Sequence, residues 1–115
     1  MERLRLYFYA SREIAQDVAS TLSLRAGPSG VICLSGDSCT TGAEAAATLS
    51  IKDRPVELRC EIEVERSAVE GPTRVHPLFG TDGLMLRPGG GSEYRYKWPI
   101  LTLESAPEWK SLGIP

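Results

Sequence analysis

The sequence is poor in the residues that build disulfide frameworks and metal centres. It has three cysteines, an odd number that disfavours a disulfide framework, and a single histidine, His76. No two cysteines form a CxxC pair, so we expect no zinc site. Cys33 and Cys60 lie in strand-like apolar patterns and are expected to be buried. Cys39 lies in a polar stretch and is therefore the one cysteine that we expect to be reactive.

Long apolar runs and an excess of positive charge are also missing. No run approaches the roughly 18 residues that a membrane span requires. Charges interrupt the N-terminal stretch MERLRLYFYASRE, which therefore lacks a signal-peptide core. We expect a cytoplasmic protein with no membrane partner, although a toxin domain cut from a longer exported protein would have the same features. The net charge of −2 and the pI near 5.4 disfavour nucleic acid as a partner.

The composition that remains is typical of one globular domain covering residues 1–115. Hydrophobic residues make up 42% of the 115 residues and charged residues 24%, which is unlike a disordered chain. Eleven glycines and eight prolines predict that much of the chain lies in turns and loops.

Two helices are predicted in the first half of the chain. Ser11 can cap a helix whose apolar stripe is formed by Ile14, Val18 and Leu22 and which ends near 26–28, where Gly and Pro follow. A second helix is predicted at Thr41–Ser50, where Thr41 and Glu44 form a capping box. Along the chain, both predicted helices come early and most predicted strands come late. This order predicts an α+β fold.

Strands are predicted from period-two alternation and from short apolar runs. The clearest is Val56–Glu65, whose apolar residues alternate with Glu57, Arg59, Glu61, Glu63 and Glu65, so one face should be wet and mostly acidic. The other predicted strands are Leu4–Tyr9, Gly30–Ser35, Ser92–Trp98 and Ile100–Leu103, with shorter extended pieces at Thr73–His76 and Leu84–Arg87. Pro99 argues against a central, fully paired strand at 92–98. The tail 104–115 is expected to pack through Trp109 and Leu112.

The sequence contains none of the common phosphate-binding or serine-nucleophile motifs. The patterns GxxxxGK[ST], GxGxxG and GxSxG do not occur, and His76 alone offers little for a nucleophile–base pair. The carboxylate that stands out is Glu93, which follows the glycine run Gly89–Gly91 and opens the strand with Tyr94, Tyr96 and Trp98. A carboxylate beside a glycine loop can meet positive charge that develops on a ligand. The simpler alternative is a solvated strand residue paired with Arg95 or Lys97.

The segments LRLYFYAS, GPSGVICLS and GGGSEYRYKWPI, in this order, resemble the small toxin-type ADP-ribosyltransferases that are named for a His-Tyr-Asp signature. The resemblance implies a split antiparallel or mixed sheet that forms a cleft for NAD, the substrate. It implies that Glu93 is catalytic and stabilises the positive charge on the ribose as nicotinamide leaves, as carboxylates do in glycoside cleavage. It further implies that ADP-ribose passes to a macromolecular acceptor, expected to be a protein.

The resemblance also assigns the residues that bind NAD. They are Tyr7, Phe8, Tyr9, Gly90, Gly91 and Tyr94. Phe8 stands where the family usually has a histidine or arginine, and a phenylalanine cannot donate the hydrogen bond that those residues make to ribose. Ile32 or Cys33 occupies the region of the family's second-strand aromatic residue, so the stacking partner of nicotinamide is absent from that place, and Tyr7, Tyr94 or Tyr96 are the candidates to replace it.

Three possibilities remain open at this point. The chain is either an enzyme of this kind or a degenerate binding module for a nucleotide or a protein, as Phe8 suggests. Alternatively it is an unrelated acidic interaction or immunity protein whose face Glu57–Glu65 meets a basic partner.

Overall fold

The computed structural model describes residues 2–27, 29–52 and 54–113 and has the α+β character predicted from the sequence. The helices come early in the chain and most strands follow. In the described residues the elements are β1 Arg3–Ala10, α1 Arg12–Thr21, β2 Ser23–Arg25, β3 Ile32–Ser35, α2 Gly42–Thr48, β4 Leu58–Glu65, a 3-10 turn Arg66–Ala68, β5 Val69–Arg74, β6 Leu78–Phe79, β7 Met85–Arg87, β8 Ser92–Tyr96, β9 Ile100–Thr102 and β10 Lys110–Ser111.

The main sheet has the strand order β10-β4-β1-β3-β8-β5, and each of its ladders is antiparallel. Two further antiparallel pairs, β2-β9 and β6-β7, stand outside it. Strand β1 is central because all eight of its residues pair with β4 on one side while Tyr7 lies opposite Ser35 of β3 on the other. This order brings residues from distant parts of the sequence onto neighbouring strands.

One face of the main sheet carries the larger core. The strand predicted at 56–65 begins two residues later, at Leu58, and its alternation is confirmed within β4, because Cys60, Ile62 and Val64 are all buried while Glu61 and Glu63 between them are exposed. Leu6 of β1, Ile32 and Leu34 of β3 and Val18 of α1 belong to the same buried cluster, as do Leu24, Val69 and Leu101. Burial of apolar side chains on this scale is the main contribution to the stability of a domain of this size.

A smaller cluster lies on the opposite face and involves α2. Tyr9, Cys39 and Ala45 are its buried members, and the Tyr9 hydroxyl accepts a hydrogen bond from the backbone N–H of Cys39 at 2.7 Å and donates one to the carbonyl of Asp37. Burial raises the pKa of Tyr9 well above its ordinary value, so the phenol stays neutral and keeps both bonds. The loop before α2 is thereby fixed to the central strand.

The first helix is shorter than the sequence predicts. Ser11 caps it as expected, since its hydroxyl accepts from the N–H of Ile14, but α1 ends at Thr21 rather than near 26. Leu22 adopts the left-handed conformation, with φ 52°, and its N–H still bonds the carbonyl of Val18. The chain then pairs as β2 with β9, which buries Leu24 completely against Leu101. Strand pairing therefore overrides the continuing helical stripe; the predicted stop at Pro28 lies outside the described residues.

The second helix is close to the prediction, with Thr41 as its cap and Gly42–Thr48 as its helical residues. The Thr41 hydroxyl accepts from the N–H of Glu44, whereas the Glu44 carboxylate accepts from the N–H of Thr40 rather than from that of Thr41. The glycine run Gly89–Gly91 is packed against the end of this helix. Gly89 and Gly91 donate to the carbonyls of Ala47 and Thr48, and thus satisfy carbonyls that the helix leaves unpaired.

Strand β8 is shorter and more central than the sequence suggests. It ends at Tyr96, before Pro99, and so is free to pair with β3 on one side and β5 on the other. The tail contacts the core as predicted, because Trp109 packs edge-on against Phe8 with their ring centroids 6.4 Å apart. The last two residues of the predicted tail, 114–115, lie outside the described residues.

The β5 edge of the main sheet is partly closed. Pro72 has no N–H to offer a further strand. The Arg66 guanidinium donates to the carbonyls of Val69 and Gly71 at 3.0 and 2.7 Å, so these acceptors are also occupied. The β5 edge is therefore a poor template for another strand.

Replacing Leu34 with alanine tests the assignment of the larger core. Leu34 is only 1% exposed, so Leu34→Ala should lower the free energy of unfolding by about 2–5 kcal/mol through lost burial and a residual cavity. Leu84 is 67% exposed, so Leu84→Ala should change it by less than about 0.5 kcal/mol. Urea denaturation of both variants measures the difference. Equal losses of stability would contradict the assigned packing.

Candidate functional site

Glu93 lies in a row of residues that crosses three neighbouring strands. Tyr7 of β1 is opposite Ser35 of β3, and Ser35 is opposite Glu93 of β8. Directly opposite residues in antiparallel strands project from the same face, and each strand adds about 5 Å, so the backbones of Tyr7 and Glu93 lie about 10 Å apart. The register thus places the predicted carboxylate on the same face as the tyrosine of the first strand.

This row borders a cavity of about 270 Å³. Its sheet side is formed by Tyr7, Tyr9, Cys33, Ser35 and Glu93, and the other side by the end of α2 and the chain that follows it, Leu49–Ile51, together with Arg54 and Val75. Typical small-molecule sites have about 300–1,000 Å³. The cavity lies just below this range, so its size suits a group such as a sugar with an attached ring and not a whole dinucleotide.

Two side chains hold one oxygen of the Glu93 carboxylate. The guanidinium of Arg95 lies 3.3 Å from Oε1, and the thiol of Cys33 donates to the same oxygen at 3.2 Å. The Glu93 side chain is 23% exposed. Within the described part of the chain no group bonds the second oxygen, Oε2. A carboxylate with one oxygen fixed and one available can face positive charge on a ligand.

Cys33 and Cys39 have the reverse of their predicted environments. Cys39 is 2% exposed, because its loop is fixed by Tyr9, whereas Cys33 is exposed on the same sheet face as Glu93. Cys60 is buried as predicted. Partial removal of the Cys33 thiol from water, together with the hydrogen bond and the charge of Glu93, raises the pKa of Cys33 to about 11. The Cys33 thiol is therefore a hydrogen-bond donor to Glu93 near neutral pH.

Arg54 and Ser50 line parts of the cavity that the sequence did not reveal. The guanidinium of Arg54 donates to the carbonyl of Tyr9 at 3.1 Å, which brings a positive charge to the same cavity as Glu93. Ser50 donates to the carbonyl of His76 at 2.8 Å and so ties the cavity wall to the chain after β5. Both residues follow α2 in a polar stretch that has no motif, so no signal in the sequence would have found them.

The structure brings together three of the residues that the family resemblance assigned, namely Tyr7, Tyr9 and Glu93. It places Phe8 and Tyr94 on the opposite face of the sheet, packed against the larger core, where neither lines this cavity. The reason is the period of two along a strand, which points Phe8 away from Tyr7 and Tyr94 away from Glu93.

Gly90 and Gly91 do not line the cavity but support one of its walls. The N–H of Gly90 donates to the carbonyl of Val75, and the N–H of Val75 donates to the carbonyl of Gly91. A Cβ on Gly91 would lie 2.9 Å from Asp37 Oδ2 and from Leu49 Cδ2, so only glycine fits there without movement. The loop thus positions Val75, which does line the cavity.

A second cavity, of about 480 Å³, adjoins Tyr7 on the same face. It lies between β4 and the chain before β10 and includes Arg59, Glu61, Glu108 and Lys110. The Arg59 guanidinium lies over the Tyr7 ring, 4.9 Å from its centroid, in a cation–π contact. Because Tyr7 borders both cavities, one extended ligand can pass across it.

In residues 2–27, 29–52 and 54–113 no group of three or more His, Cys, Asp or Glu side chains is placed to hold a metal ion. Over the same ranges, none of the helices has the length and apolarity needed to cross a membrane. No protein-family model, curated protein or solved structure matches the chain.

The contact between Cys33 and Glu93 is testable by thiol labelling. A small disulfide reagent should label one thiol per folded chain, because only Cys33 is exposed among the three cysteines. Labelling should be slow at about pH 8 and accelerate as the pH approaches 11, since the thiolate is the reactive form. Glu93→Gln removes the negative charge, lowers the pKa of Cys33 and should speed labelling at about pH 8 several-fold.

Glu13→Gln, an exposed position of α1 on the other face of the sheet, is the matched control and should leave the labelling rate unchanged. If the two glutamine variants react at the same rate, the assigned contact between Cys33 and Glu93 is wrong.

Proposed function

We propose that the protein cleaves the bond between nicotinamide and ribose in NAD and passes ADP-ribose to a macromolecular acceptor or to water. The observation that carries the proposal is the row of Tyr7, Ser35 and Glu93 beside a cavity of about 270 Å³. The resemblance of three ordered segments to small toxin-type ADP-ribosyltransferases suggests the chemistry. The shared face of Tyr7 and Glu93 supports it.

Glu93 has the charge and position that this reaction needs. As the bond breaks, its electron pair leaves with nicotinamide and the ribose becomes an oxocarbenium-like cation. A carboxylate fixed close to that carbon lowers the energy of the cation more than that of the neutral sugar, and so accelerates the step. Arg95 and Cys33 hold the carboxylate through Oε1, which leaves Oε2 for the sugar. The acceptor then forms the new bond to the same carbon and releases a proton.

The two cavities on either side of Tyr7 suit the two halves of NAD. The smaller one, beside Glu93, takes the nicotinamide riboside half. The larger one takes the adenosine half and the phosphates, with Arg59 and Lys110 as cations on its border. Tyr7 and Arg59 stack at the boundary and provide an aromatic surface there. Phe8 does not contribute, because it belongs to the core on the other face.

Release of nicotinamide from NAD by the purified protein tests this proposal. Glu93→Gln keeps the size and hydrogen-bonding capacity of the side chain but removes its charge, and should lower the rate by at least about 100-fold. The matched control Glu13→Gln changes an exposed glutamate on α1, which packs on the other face of the sheet, and should keep the wild-type rate. Turnover that survives Glu93→Gln undiminished would remove Glu93 from the reaction.

A binding module without turnover is the second candidate. It is favoured by the ion pair between Glu93 and Arg95 and by Phe8, which packs against the larger core and leaves no polar side chain at that position of β1. In this case the carboxylate orients a nucleotide and does not stabilise a cation. The glutamates of β4 give less support to an acidic interaction protein as the main function, because Arg3 lies 3.4 Å from Glu63 and Arg5 is opposite Glu63 in register.

A thermal-shift titration with NAD separates binding from turnover. A ligand that binds only the folded state raises the unfolding midpoint as its concentration increases. Both candidates predict such a rise, and both predict that Tyr7→Ala reduces it, because Tyr7 borders both cavities. A rise without nicotinamide release selects the binding module. No rise at millimolar NAD would contradict both.

A further inference from the structure

Beyond the short strand β10, part of β4 forms an open edge of the main sheet in the described residues. Strand β10 pairs only with Leu58 and Arg59, so Glu61–Glu65 have β1 on one side and, among the described residues, no strand on the other. We call this segment the open edge of β4. It is five residues long and spans about 16 Å.

The backbone groups that face outward at this edge can be assigned. Hydrogen bonding alternates along an antiparallel strand, so that one residue bonds to one neighbour and the next residue faces the other way. The N–H of Arg66 donates to the carbonyl of Glu2 on the β1 side, and the N–H of Leu112 donates to the carbonyl of Glu57 on the β10 side. By this alternation the amides of Glu61, Glu63 and Glu65 point away from β1 toward the open edge.

The open edge borders a groove and not a packed surface. A cavity of about 480 Å³ lies between Glu61–Glu65 and the chain 101–107. Tyr96 and Trp98 also line it, and Trp98 is 54% exposed. Their rings lie edge-to-face with centroids 5.5 Å apart. The groove therefore combines unpaired backbone groups with an aromatic surface, the two components that hold an added strand.

The charge at the groove determines what kind of strand it takes. Its border has four carboxylates, Glu61, Glu63, Glu65 and Glu104, against the guanidinium of Arg3, and Arg5 lies opposite Glu63 on β1, so the carboxylates outnumber the guanidinium groups by two to one. The ion pair between Arg3 and Glu63 is exposed, and such pairs contribute little. Alternate residues of an extended strand lie about 7 Å apart, and Glu61, Glu63 and Glu65 are spaced in this way along β4. An extended peptide with lysine or arginine at every second position matches them.

A second copy of this chain fits the edge poorly. Two β4 strands paired antiparallel about Glu63 would set Glu63 against Glu63 and Glu61 against Glu65, and like charges directly opposite each other are destabilising. The glutamates thus select against self-pairing while they favour a basic strand. We propose that the open edge of β4 binds an extended, basic peptide segment by adding it as a further strand of the main sheet. This inference does not depend on the proposed reaction with NAD.

The test uses a labelled nine-residue peptide of alternating lysine and valine, and the same peptide with glutamate in place of lysine. Fluorescence anisotropy at low salt should show that the lysine peptide binds at least about tenfold more tightly. Amide hydrogen exchange should show that the lysine peptide newly protects Glu61, Glu63 and Glu65. Cys60, Ile62 and Val64 face β1 and should be protected already in the free protein.

Matched variants separate this edge from general electrostatic attraction. Glu61→Lys with Glu65→Lys should weaken binding of the lysine peptide by at least about tenfold, whereas Glu13→Lys with Asp17→Lys, the same change of charge on the exposed side of α1, should weaken it far less. Equal effects of the two double variants, or binding without new protection at Glu61, Glu63 and Glu65, would overturn the proposal. A dimer in sedimentation whose open-edge amides are protected without peptide would also overturn it, since a second copy would then occupy the edge.

Discussion

The alternation of side chains along the central strand β1 is the constraint on which both faces of the sheet depend. Leu4, Leu6 and Phe8 point into the larger core, and Tyr7 and Tyr9 point to the opposite face. Successive side chains of a strand point to opposite faces. The eight residues of β1 therefore contribute both to the core and to the candidate site. A shift of β1 by one residue against β4 would exchange the two sets and expose the core side chains.

The parts of the fold that local patterns specify were predictable. Ten residues that alternate between apolar and polar are compatible only with a strand, and they predicted β4. Ser11 and Thr41 predicted where the two helices begin. The end of α1 was not predictable, since the apolar stripe continues and only the pairing of β2 with β9 stops it. Cys33 was misjudged because a continuous apolar run does not show which of its residues face the core.

The candidate site was predictable only in part for a similar reason. Glu93 was identified from its position after three glycines and from a family resemblance, but its distance from Tyr7 depends on the pairing of β3 with both β1 and β8. Such pairing joins residues far apart in the chain, and no local pattern encodes it. Arg54 shares the cavity because the chain after α2 runs back past β1, which is again a property of the tertiary fold.

The two edges of the main sheet differ in a way that limits how the protein can polymerise. A filament of copies joined edge to edge needs two sheet edges on every molecule that can pair with another strand. Pro72 and the Arg66 guanidinium leave the β5 border unreceptive, while the β4 border stays available. Extension of the sheet therefore stops after one strand has been added at β4. The protein can thus bind a foreign strand without the fibre formation that an exposed sheet edge otherwise favours.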